Sequence, residues 1–105
     1  MFEHTEEVFH DAVYNLARRG EWQSRLCWAL VRLDGLPPKE LPPEIRRPFK
    51  ELWRQMSGAQ PVGDEGAIKA MIREMTEDSY EQYVQRILGM YEKVIVWAAK
   101  ANKEA

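Results

Sequence analysis

Apolar residues fall at helical spacing along almost the whole chain, and one proline-rich stretch interrupts them. Phe9, Ala12, Val13 and Leu16 share one helical face. Thr5 is placed to cap that first helix, Glu6 and Glu7 suit its positive end, and Arg18 and Arg19 occupy its last turn before Gly20. A second helix is expected from about 21 to 34, with Trp22, Leu26, Ala29, Leu30 and Leu33 on one face and Gly35 at its end. Cys27, Trp28 and Val31 make the opposite side apolar too, a pattern that belongs at the centre of a bundle.

Five of the six prolines lie between 37 and 48, in the near-repeat Leu36-Pro37-Pro38-Lys39-Glu40 and Leu41-Pro42-Pro43-Glu44. Each proline pushes its predecessor toward extended backbone, so residues 36–43 read as non-helical. At about 3.1 Å per residue an extended segment of this length reaches about 25 Å, more than the length of the preceding helix. The expected consequence is a crossover that leaves the second and third helices parallel. In a simpler role, Leu36 and Leu41 dock as pegs on the core.

The third helix is expected to start at Pro48, after a short turn through Glu44, Ile45 and Arg46, and to end at Ser57 before Gly58. Ile45, Phe49, Leu52, Trp53 and Met56 form its apolar face. Past a loop, Asp64 is placed to cap a short fourth helix that buries Ile68, Met71, Ile72 and Met75. Thr76 then caps the longest element, from about 77 to 100, in which Tyr80, Val84, Ile87, Tyr91, Val94 and Ala98 alternate spacings of four and three. Tyr83, Met90 and Trp97 flank this seam on one side, and Leu88 and Ile95 flank it on the other. The stripe is about 140° wide, more than one neighbouring helix covers. Either several helices of the same chain surround it or it completes an oligomer.

The pattern therefore predicts an all-α fold, a compact bundle of four or five helices with a proline-rich crossover between the second and third, forming a single domain over residues 1–105. Composition agrees: 45% hydrophobic and 30% charged residues suit a globular protein, and no apolar run approaches membrane-spanning length. The acidic start, with Glu3, Glu6 and Glu7, is unlike a targeting segment. A lone Cys27 rules out an internal disulfide, so a cytoplasmic setting is expected.

Chemistry is sparse. Glu7-x-x-His10 matches half of a di-iron bundle motif, but the second pair and the additional inward carboxylates are missing, and His4 and His10 do not share a helix face. Cys27 has no activating histidine in its segment, no serine lies in an elbow motif, and the six glycines form no phosphate loop. Carboxylates from Glu74 to Glu81 read as helix caps, and the proline segment lacks P-x-x-P. No metal, cofactor or catalytic residue is expected.

Net charge −2 disfavours a general polyanion binder, although Arg46, Arg47, Lys50 and Arg54 form a basic stripe on the third helix. That stripe is the candidate contact for an acidic protein or, as the alternative, for nucleic acid. Trp28, Tyr83, Met90 and Trp97 are candidate contacts of an oligomer such as a homodimer. The leading expectation is a protein that acts by protein–protein interaction or self-association. A helical-bundle enzyme with a site at a dimer interface ranks third.

Overall fold

The computed structural model describes residues 2–56 and 66–104. Over these the chain forms five α-helices and no strand: α1 (Phe2–Ala17), α2 (Trp22–Asp34), α3 (Pro43–Met56), α4 (Ala67–Arg73) and α5 (Glu77–Glu104), with a 3-10 turn at Pro38–Glu40. At 1.5 Å per residue the 28-residue α5 is about 42 Å long and sets the 47 Å long axis of a molecule 27 and 23 Å across. The all-α bundle with a long C-terminal helix is thus present.

Side-chain pairs fix the helix directions. Arg32 meets Asp11 at 3.1 Å and Arg25 donates to the Leu16 carbonyl at 3.0 Å, so α2 runs antiparallel to α1. Tyr80 packs against Trp22 at 5.1 Å between ring centroids, while Tyr91 stacks on Phe9 at 6.5 Å, so α5 is antiparallel to α1. Phe49 lies 6.4 Å from Phe9, and Gln55 accepts from Arg86 at 2.7 Å, so α3 runs against α5. It follows that α3 is antiparallel to α2, and the chain is an up-down-up-down bundle with α4 as a short cross-piece against α2 and α3.

This corrects the expected parallel crossover. The segment does not stay extended: Pro37 and Leu41 have extended backbone, but Pro38–Glu40 between them winds into a 3-10 turn, and α3 begins already at Pro43. The shortened span reverses the chain at one end of the bundle. Leu36, Leu41 and Pro42 are all buried there, so the two leucines do act as pegs. The Thr5 hydroxyl donates to the Glu40 carbonyl at 2.8 Å, and Arg46 clasps the carbonyls of Leu41 at 3.0 Å and Lys39 at 3.4 Å.

Helix ends differ from the sequence pattern in three places. Thr5 lies one turn inside α1, fully buried, and caps nothing. Because α1 stops at Ala17, Arg18 and Arg19 sit in the turn beyond it, where Gly20 takes φ +122°. Pro43 occupies the first position of α3 and leaves Pro48 inside the helix, where it offers no N–H to the Glu44 carbonyl. Thr76 caps α5 as expected, its hydroxyl accepting from the Ser79 N–H at 3.2 Å. The proposed Asp64 cap, the helix end at Ser57 and Gly58, and the intervening loop lie outside the described residues.

Pro48 is exposed. An interior helix proline costs about 3 kcal/mol, whereas its removal loosens the unfolded chain by up to about 1 kcal/mol. Pro48→Ala is therefore expected to stabilise the protein by about 2 kcal/mol, read as a higher urea midpoint; a lower midpoint would mean that the proline fixes the path of α3.

One cluster of buried side chains joins all the helices and the proline turn. Phe9, Leu26, Leu30, Leu33, Phe49 and Ile87 lie at its centre. On α5 the seam residues Ile87, Val94 and Ala98 and the flanking Met90 are buried against the other helices, while Leu88, Ile95 and Val96 remain 39%, 42% and 53% exposed. The wide apolar stripe is thus covered from within the chain on one flank and left open on the other. Among the described residues, no helix is long and apolar enough to cross a membrane.

Candidate functional site

Three of the four cations of the expected basic stripe on α3, Arg47, Lys50 and Arg54, are exposed. Arg46 is half-buried and its guanidinium is held by the carbonyls of the proline turn, and Arg54 pairs with Glu51 at 2.6 Å.

The candidate oligomer residues separate in the same way. Met90 is 4% exposed and belongs to the core. Tyr83 is half-buried, with the Arg86 guanidinium 5.2 Å from its ring and its hydroxyl 3.4 Å from Gln55 Oε1. Trp97 is half-buried on α5. Of the four, only Trp28 is well exposed, at 61%.

Trp28 is the consequence of a helix with too much apolar surface for its neighbours. The face of α2 formed by Leu26, Ala29, Leu30 and Leu33 is buried, but its second apolar side is not closed over. α4 has only seven residues and covers part of that side. Where it stops short, an open groove of about 430 Å³ remains between α2 and α4, with Cys27, Trp28, Val31 and Ile72 as its apolar walls. Val31 is 47% exposed, and the Cys27 thiol is partly buried in the wall. Gln23, Ser24, Lys69 and Arg73 supply the polar rim, where Arg73 lies 4.0 Å from Glu74.

On its other side Trp28 borders a cleft of about 120 Å³ at the α1–α2 turn, lined by Asn15, Arg18, Arg19, Ser24 and Arg25. Arg18 donates to Asn15 Oδ1 at 3.2 Å. Arg25 reaches the Leu16 carbonyl with one terminal nitrogen and lies 5.9 Å from the centre of the Tyr80 ring, while its Nε is buried without a hydrogen-bond partner. Beyond the cleft, Arg18 and Arg19 also border Tyr14, which is 64% exposed. One continuous face thus runs from Tyr14 through the arginines and Trp28 to Val31 and Lys69.

Sequence reasoning singled out Trp28 but not its surroundings. Arg18 and Arg19 come from the α1–α2 turn, Arg25 from α2, and Lys69 from α4, about forty residues on. The nearest signal in the sequence was the second apolar side of α2, Cys27, Trp28 and Val31, which the bundle leaves partly open.

The face offers binding chemistry. No group of three or more His, Cys, Asp or Glu side chains able to hold a metal ion occurs among the described residues. Glu7 and His10 are exposed on α1, and His10 Nδ1 shares a hydrogen bond with the Tyr91 hydroxyl at 3.2 Å. No family model, curated protein or solved structure matches the chain.

Proposed function

We propose that the protein is an interaction module that binds another protein through the α2–α4 face centred on Trp28. The carrying observation is a large aromatic, 61% exposed, standing with Val31 over an open apolar groove. Exposed apolar surface beside a rim of polar residues marks contact sites, and a tryptophan at the middle of a concave patch is the side chain that most often anchors them. A lone thiol suits a reducing compartment such as the cytoplasm.

A photoreactive phenylalanine analogue at position 28 tests the reading in cells that naturally make the protein. Irradiation is expected to give a discrete protein adduct at 28 that is absent when the probe replaces exposed Gln82 on α5. Equal background at both positions would sink the proposal. The adduct mass also addresses a second reading, a homodimer, which the exposed Leu88, Ile95 and Val96 on α5 favour: a probe at 95 would then yield a species of twice 12.3 kDa.

Trp28→Ala should leave the fold intact, changing stability by about 1 kcal/mol or less, because the side chain is mostly solvated. Thermal unfolding followed by circular dichroism checks this. A large loss would show Trp28 to be a core residue.

A further inference from the structure

Charge on the Trp28 face is distributed unlike charge on the rest of the molecule. The whole chain has 15 Lys and Arg against 17 Asp and Glu. Yet Arg18, Arg19, Arg25, Lys69 and Arg73 line this groove and its adjoining clefts without an acidic side chain among the described lining residues; the carboxylates nearby stand at its edge, Glu74 at 4.0 Å from Arg73 and Glu77 with Glu81 in a separate cleft on the far side of Arg25. Cations flank Trp28 on both sides, three arginines at the α1–α2 turn and Lys69 with Arg73 across the apolar groove.

Resting on the reading of this face as a protein-binding surface, we propose that its partner is an acidic amphipathic helix. One apolar side chain enters the groove between Trp28, Val31 and Ile72, and a carboxylate lies against Arg18, Arg19 and Arg25. Trp28 and Ser24 line both the groove and the cleft, so the two subsites adjoin. Residues three or four apart on a helix stand about 5–6 Å from one another, which suits one side chain in each. Arginines bind carboxylates through paired, charge-assisted hydrogen bonds.

Nucleic acid fits less well. A phosphate backbone laid across this face would press charge against the apolar walls of Cys27, Val31 and Ile72. The net charge of −2 also opposes a long polyanion, whereas a short acidic segment meets only the local cationic field.

The test is selection of random peptides of about 15 residues, displayed on phage, against the full-length protein. The selected peptides are expected to be rich in Glu and Asp, with Leu, Phe or Trp three or four positions away. A synthesised winner should bind Trp28→Ala about 30-fold more weakly. It should also lose most of its salt dependence on the Arg18→Gln/Arg19→Gln/Lys69→Gln variant, whose substitutions are at exposed sites.

Basic or uncharged winners that still need Trp28 would overturn the acidic-partner inference and leave the protein-binding reading standing. Winners indifferent to Trp28→Ala, or none above background, would also overturn it. A labelled single-stranded oligonucleotide of about 20 nucleotides that binds tightly, and only when Trp28 is present, would replace both readings with nucleic-acid binding. A concentration-dependent dimer abolished by Trp28→Ala in native mass spectrometry would assign the face to a second copy instead of a separate helix.

Discussion

Phe9→Ala is expected to destabilise the protein by about 3–5 kcal/mol, which is a large part of the roughly 5–15 kcal/mol that holds a domain together. Phe9 is completely buried and stands where three helices converge. Its ring lies 6.4 Å from that of Phe49 on α3 and stacks within 3° of parallel on Tyr91 of α5, 6.5 Å away. Truncation would remove both ring contacts and leave a cavity that the rigid backbones of α1 and α5 close only in part. In urea, with a slope of about 1–3 kcal/mol per molar, the midpoint should fall by more than about 1 M. Phe9→Leu, which retains much of the volume, should recover a good part of the loss. If Phe9→Ala shifted the midpoint by less than Trp28→Ala, the packing described for α1 would be wrong.

Phe9 also shows what the sequence makes legible. Its place on the inner face of a helix follows from spacing to Ala12 and Leu16, and the same logic locates α2, α4 and α5 with their core sides. The Thr76 cap was readable because the groups it joins lie three residues apart. Thr5 was not. A polar residue followed by two glutamates matches a cap locally, but its actual partner, the Glu40 carbonyl, lies thirty-five residues away.

The start of α3 failed for a related reason. Pro43 and Pro48 both suit a first helical position. Ile45, however, is already in register with Phe49 and Leu52, and burying it at 3% exposure outweighs the defect at Pro48. The cationic face around Trp28 is assembled from the α1–α2 turn, α2 and α4. Local patterning instead favours Arg46, Lys50 and Arg54 of α3, spaced four apart, of which Arg46 is half-buried against the proline turn while Lys50 and Arg54 are exposed.

The segment that misled the topology is also the site of the second large effect. Leu41→Ala is expected to cost about 2–5 kcal/mol, although the residue lies in a turn where substitutions are usually tolerated. Three features set this turn apart. Leu41 is fully buried and belongs with Leu36 to the common core, and the adjacent Pro42 is buried as well. Its carbonyl is fixed by Arg46 at 3.0 Å, and the neighbouring Glu40 carbonyl by the Thr5 hydroxyl at 2.8 Å. The turn therefore reverses the chain while sealing the end of the bundle, and the prolines limit how far it can relax around a missing side chain. Lys39→Ala, two residues before Leu41 but exposed, should change stability by less than about 0.5 kcal/mol. Equal, small effects at Leu41 and Lys39 in urea unfolding would show the proline segment to be a passive link. A loss confined to Leu41 would make it part of the core, with the antiparallel return of α3 following from that docking more than from the length of the linker.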